Sequence, residues 1–154
     1  MPGPKTTRPE PLLDTLAEFR FQIRHFLHFS EQAAARAGLR AQQYQLLQVV
    51  AAAPQHRLPA IADVAERLML RHNSAVELVD RTQQQGLLLR VADKEDHRRT
   101  RLKLSTRGKR LLTRLVNEHL EELQQWGPQM RTALEAVMEK VWLPAKSRLT
   151  EPKP

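Results

Sequence analysis

Ile61-Ala62-Asp63-Val64-Ala65-Glu66-Arg67-Leu68, then Met69-Leu70-Arg71, then His72 to Gln85, is the stretch that decides the fold. In its first part Ile61, Val64, Ala65 and Leu68 recur at helical spacing and give a short helix one apolar face. Met69 to Arg71 read as a turn. Ala75, Leu78, Val79 and Thr82 repeat the i, i+3, i+4, i+7 spacing, so a second helix has its own buried face. That spacing turns His72, Asn73, Ser74, Val76 and Glu77 outward near the start of the second helix. Gly86 stands where a helix-ending glycine belongs. Beyond it Leu87 to Val91 and Thr100 to Leu104 are strand-like, joined by Asp93-Lys94-Glu95-Asp96-His97-Arg98-Arg99. A helix pair followed by a cationic hairpin fits a winged helix-turn-helix. In that arrangement one helix enters the major groove of DNA and the wing lies over the neighbouring backbone or minor groove.

The charge balance agrees. The chain of 154 residues is one domain's worth and carries a formal charge of +8. Between Gly86 and Arg110 nine Lys and Arg face only three acids, so most of the excess sits in the hairpin and the helix start after it. A basic patch alone is as often a solvated surface; beside a helix-turn-helix pattern it points to nucleic acid. There is no cysteine, which removes disulfides, thiol redox chemistry and Cys-based zinc sites. No apolar run approaches the roughly 18 to 20 residues of a membrane span. Met1 to Glu10 is Pro-rich and lacks an apolar signal segment, so a cytoplasmic protein without membrane contact is expected. The absence of G-x-S-x-G and phosphate-loop motifs argues against an enzyme. His25 and His28 lie three apart, but no acid at matching spacing joins them, so neither a metal site nor a cofactor is expected.

Around this module the chain reads as helical and mainly α. Residues 1–11 form a flexible tail. Residues 12–37 form a helix in which Leu12, Leu16, Phe19, Ile23 and Phe26, continued by Ser30, Ala33 and Ala37, make a heptad seam suited to dimerisation. Residues 38–110 hold the winged helix-turn-helix. Gly38 opens this region, and a helix with Tyr44, Leu46, Leu47, Val49 and Val50 runs to Pro54. A loop follows, with room for a short strand at Arg57 and Leu58. Ser105 is a good N-cap. Residues 111–149 are expected to form further dimerisation helices, the first closed by Gly127-Pro128 and the second carrying Met130 to Trp142. Residues 150–154 are a tail.

Val64-Ala65-Glu66-Arg67-Leu68, Leu78-Val79-Asp80-Arg81, Gly86-Leu87, Asp93-x-x-Asp96-x-Arg98 and Leu104-Ser105-x-x-Gly108 resemble the MarR family of bacterial regulators in order and spacing, over roughly residues 39–115. The resemblance implies a homodimeric winged-helix transcription factor, usually a repressor. Such a protein binds a pseudo-palindromic double-stranded operator and is released by a small aromatic or phenolic effector. The alternatives are a winged-helix protein-interaction module without DNA binding and a metal-responsive regulator. Three positions depart from the family pattern. Met69 replaces the turn glycine, which suggests a turn without a left-handed residue. Arg71 replaces the usual Ser cap, so His72 or Asn73 is expected to set the helix start. Glu77 stands where a basic residue is common.

The candidate DNA contacts are Arg71, His72, Asn73, Ser74, Val76, Glu77 and Arg81 on the second helix, with Asp96, Arg98 and Arg99 on the wing. Asn73 can pair bidentately with adenine, Val76 can touch a thymine methyl, and Glu77 can accept from cytosine N4. Asp96 would hold the Arg98 guanidinium in one orientation for a narrow minor groove. Ordinary surface polarity is the competing role for each. The candidate pocket groups are His25, Phe29, Tyr44 and Trp126, placed near a helix junction, with core packing as the alternative.

Overall fold

The computed structural model describes residues 11–54 and 56–141. In chain order it contains α1 (Pro11–Arg36), α2 (Ala41–Ala52), α3 (Ile61–Arg67), α4 (His72–Gln84), β1 (Leu88–Ala92), β2 (Thr100–Leu104) and α5 (Thr106–Val141). The two strands pair antiparallel, from Leu88 opposite Leu104 at the base to Ala92 opposite Thr100 near the tip. This is the expected architecture, mainly α with a small β-wing.

Contacts divide the chain into two units. One holds residues 30–120, and the other joins the chain up to Phe29 with the chain from Glu121 onward. The core of residues 30–120 comes from the spacing that the sequence displays. Ala75, Leu78, Val79 and Thr82 are all buried on α4. Tyr44, Leu46, Leu47 and Val50 on α2, Val64 on α3, Leu88, Leu102 and Leu104 on the strands, and Leu112 and Leu115 on α5 complete it. Two buried polar groups are fully bonded within it. Gln43 Nε2 donates to Thr82 Oγ1 at 3.3 Å and to Gln85 Oε1 at 2.9 Å, and its Oε1 accepts from the Arg40 N–H at 3.0 Å. His119 places Nδ1 2.6 Å from the Leu115 carbonyl and Nε2 2.9 Å from Ser30 Oγ. A carbonyl only accepts, so Nδ1 carries the proton and a neutral ring leaves Nε2 as an acceptor.

In the other unit Ala133 and Val137 are buried, His25 stacks on Trp126 with ring centroids 3.6 Å apart, and Lys140 bonds Thr15. The α1 seam is split rather than uniform: Leu16 and Ile23 are exposed, while Leu12, Phe19 and Phe26 are half-buried.

Three helices end in the same way. After α1, Gly38 takes φ +75°, and the Leu39 N–H reaches back to the Ala34 carbonyl at 2.9 Å. After α4, Gly86 takes φ +71°, and the Leu87 N–H reaches Thr82. After α3 the same pair of bonds forms, Leu70 N–H to Ala65 at 2.8 Å and Met69 N–H to Glu66 at 3.2 Å, around Met69 at φ +53°. These are Schellman ends. The expectation that Met69 would build the turn without a left-handed conformation is therefore corrected: the backbone bonds require it and Met69 adopts it.

Gly108 serves a different need. A β-carbon there would lie 2.1 Å from the Leu87 carbonyl oxygen, so the start of α5 packs directly on the chain entering β1. Ser105 locks that junction: its Oγ accepts the Gly108 N–H at 2.9 Å and donates to the Gly86 carbonyl at 2.7 Å.

Two further expectations fail. Gly127-Pro128 does not close a helix, because α5 runs without interruption from Thr106 to Val141 with Pro128 inside it. Trp126, Met130, Ala133 and Val137 keep one three-four spacing through the proline, with Ala133 and Val137 buried, so the helix continues past a single missing N–H donor. The part of the expected last helix from Trp142 lies outside the described residues. Arg57 and Leu58 form no strand; beside them the Pro59 carbonyl accepts the Leu102 N–H at 2.8 Å.

Candidate nucleic-acid interface

The candidate interface comprises α4 and the β1–β2 wing. Arg71 occupies the N-cap position of α4 but makes no side-chain cap bond, and the helix proper begins at His72. The first-turn N–H groups thus keep their donors for an outside acceptor, which a phosphate oxygen would satisfy. Arg71, His72, Asn73, Ser74, Glu77 and Arg81 are exposed, and Val76 is half-buried. Asn73, Glu77 and Arg81 fall at i, i+4 and i+8 and so share one face, opposite the buried Ala75-Leu78-Val79-Thr82 face.

The wing is held by carboxylates. Asp93 Oδ1 accepts the N–H groups of Glu95 at 2.8 Å and Asp96 at 3.1 Å, while its other oxygen bonds Arg101 Nε. The same guanidinium lies 3.8 Å from Asp63 Oδ2, and that oxygen caps the start of α3 through the Ala60 N–H at 2.7 Å. The relay Asp93–Arg101–Asp63 therefore ties the wing to the first helix of the motif. At the tip Asp96 Oδ1 accepts from Arg98 N–H at 3.1 Å and from Arg98 Nε at 3.2 Å, and Asp96 Oδ2 lies 3.5 Å from Arg99 Nε. The Arg98 side chain is 93% exposed. Asp96 thus orients a guanidinium that otherwise projects into solvent. Arg90, on β1, bonds Gln83 and, at 2.6 Å, Asp80, so α4 and the wing are also braced to each other.

Asp93 gives a pH test. The Arg101 hydrogen bond, followed by the Glu95 and Asp96 N–H groups, holds its carboxyl down to about 2, from an ordinary value of 3.8. A depressed folded value means that its contribution is complete above the ordinary value and disappears as pH falls through about 2. An NMR titration should find the Asp93 carboxyl still ionised at pH 3. Arg101→Gln should return its midpoint towards the ordinary carboxylate range, and a midpoint unmoved by that change would refute the relay.

Sequence reasoning missed Arg90, Arg101, Gln43 and His119 as positioning groups. Their partners lie 7 to 89 positions away, and only charge, in the case of the two arginines, hinted at a role. Of the four pocket candidates, the structure brings His25 and Trp126 together, with His25 Nε2 also 3.1 Å from Glu122 Oε1. Phe29 belongs to the same unit. Tyr44 belongs to the other, stacked on His119 at 4.5 Å, and burial pushes its phenol pKa up. Among the described residues no group of three or more His, Asp or Glu could hold a metal, and no helix is long and apolar enough to cross a membrane.

An exposed helix face backed by a buried one, with a braced cationic hairpin beside it, defines a winged helix-turn-helix protein. A family model described as MarR family matches residues 37–99. Over that stretch the chain is similar to the MarR family. No curated protein sequence matches the chain. Among solved structures the chain is similar to Staphylococcus aureus MepR in complex with DNA, at 22% identity over 79% of this chain and 94% of that one, with a TM-score of 0.57. It is similar to Rhodococcus jostii CouR bound to p-coumaroyl-CoA, at 21% identity over 84% and 88%, with a TM-score of 0.63. It is also similar to Bordetella bronchiseptica BpsR, whose DNA binding is regulated by 6-hydroxynicotinic acid, at 18% identity over 81% and 90%, with a TM-score of 0.58. At these identities the likeness is one of fold.

Proposed function

We propose that the chain is a homodimeric transcriptional repressor that binds a pseudo-palindromic operator and releases it when a small organic effector binds. The observation that carries the reading is the exposed Asn73-Glu77-Arg81 face of α4 beside a wing whose Arg98 is oriented by Asp96. In this reading α4 enters the major groove, with Asn73 and Glu77 at base edges, and Arg98 and Arg99 meet backbone or minor groove. Arg71, His72 and Ser74 lie at the entry of the helix, within reach of phosphate. Dimerisation is supported by the apolar side chains that α1 and α5 leave exposed, among them Leu13, Leu16, Ile23, Leu27, Leu134 and Met138. A two-fold axis then sets half-sites about 10 bp apart. Effector control is supported by the small molecules named with CouR and BpsR.

Two substitutions test the contact modes. Arg98→Ala should weaken binding to operator and to unrelated duplex alike, and should flatten the salt slope by about one unit. Asn73→Ala should cost operator binding about 1 to 3 kcal/mol and leave non-specific binding nearly unchanged. Salt titrations on operator and scrambled DNA read both. If neither variant changes affinity, the winged helix does not engage DNA through this face.

A further inference from the structure

The start of α5 carries a block of positive charge that the proposed DNA contacts do not use. Arg107, Arg110 and Arg114 are exposed at i, i+3 and i+7 and share one side of the helix, away from the buried Gly108, Leu112 and Leu115. With Ala37 and Leu111 they line a depression of about 360 Å³ between the end of α1 and the first turns of α5. Counter-charge is scarce there. Glu118 is shared, its two oxygens lying 3.3 Å from Arg36 and 3.9 Å from Arg114. Arg107 gives one N–H to the Gln85 carbonyl at 3.2 Å, and Arg110 pairs with no carboxylate among the described residues. Four guanidiniums around one carboxylate leave an excess of positive charge that an outside anion would answer.

We propose that this face of α5 grips the phosphate backbone of the operator duplex beyond the stretch that α4 reads. A guanidinium presents a planar fork that matches phosphate oxygens, so a row of exposed arginines suits a polyanion. The spacing agrees. Seven residues of helix rise about 10 Å, and one DNA strand presents a charge about every 3.4 Å along its axis, so the three side chains meet a short run of successive phosphates. The face is also continuous with the proposed interface. Arg81 ends the outward face of α4, Gln85 lies one turn further on, and Arg107 bonds the Gln85 carbonyl. The line of cations therefore runs on from α4 to α5. An acidic protein segment would match the charge but not this continuity. The contact touches no base, so it lengthens the footprint and adds affinity at any sequence. It rests on the reading that α4 faces DNA, but needs neither Asn73 nor the wing.

The test is a salt titration of the full-length protein on an unrelated duplex of about 40 bp, read by fluorescence anisotropy between about 50 and 200 mM salt. Arg110→Gln with Arg114→Gln should flatten the slope of log affinity against log salt by about two units for each chain in contact, and weaken binding at least about tenfold. Arg131→Gln removes an exposed cation from the later part of α5 and should leave the slope unchanged. If the double variant lowers Tm through the loss of the Glu118 partner, Arg110→Gln alone breaks no ion pair and should still flatten the slope by about one unit. An unchanged slope in both variants overturns the proposal; polyglutamate binding that is weakened by the same substitutions would then assign the face to an acidic protein partner. The failure of the α4 reading looks different. In that case Asn73→Ala leaves discrimination between operator and scrambled DNA intact, whatever the arginine variants do.

Discussion

Gly108→Ala should destabilise residues 30–120 by about 3 kcal/mol, the upper end of what overpacking costs. The first atom of the new side chain would lie 2.1 Å from the Leu87 carbonyl oxygen, far inside van der Waals contact. Neither side can move cheaply. Leu87 is buried and its carbonyl also accepts the Ser105 N–H at 3.0 Å, while the Gly108 N–H is bonded to Ser105 Oγ. Relief requires α5 to lift from the start of β1, which breaks both Ser105 contacts and opens the base of the wing. Urea unfolding followed by circular dichroism measures the loss. A change below about 1 kcal/mol would show that the junction is soft and that this packing is not a constraint.

The second large effect concerns assembly. Leu16→Asp combined with Ile23→Asp should convert the proposed dimer into monomers at micromolar concentration. Both side chains are exposed in the single chain, at 42% and 36%, and lie seven residues apart on one face of α1. The substitutions therefore spare the interior of the protomer. Each lost apolar contact is worth about 1.5 to 3 kcal/mol if fully buried. A two-fold interface contains every substitution twice, and each copy adds a carboxylate with no partner. Static light scattering reads the result directly. Operator affinity should fall with it, since each half-site would then be held alone. A double variant that stays dimeric would place the interface elsewhere.

Much of this fold is legible in the chain because its helices are short and strictly periodic. Ala75, Leu78, Val79 and Thr82 announce the buried face of α4, and the same four residues are buried. Gly86 and Ser105 announce an end and a beginning through backbone chemistry that is local in sequence. Pro128 misleads for the converse reason. A local rule says stop, but the three-four spacing of Trp126, Met130, Ala133 and Val137 runs on through the proline and the helix runs with it. Arg57 and Leu58 mislead because one hydrogen bond from Leu102 suffices to close the sheet edge without a strand.

The site divides along the same line. The outward residues of α4 follow from spacing, and the Asp96–Arg98 pair from the resemblance of Asp96-His97-Arg98 to the wing of the MarR family. What holds them in place does not. Asp80 and Arg90 meet across a helix end and a turn, and Asp63 and Arg101 across the whole motif. No periodicity encodes such pairs, because they arise only when the helices and strands pack.

Glycine and its substitutes give the chain two unequal freedoms to change over generations. At Gly38 and Gly86 nothing lies within 4 Å of where a side chain would begin, so a replacement is charged only for its backbone conformation, about 1 to 2 kcal/mol. Met69 is the worked case, left-handed and 94% exposed. Those helix ends can drift through a succession of tolerable residues, each loss recoverable by a gain elsewhere. Gly108 has no such gradient, for the smallest available step already collides. A lineage carrying this fold can lose the glycine of its turn and remain folded, but has no gradual route away from the one beneath its wing.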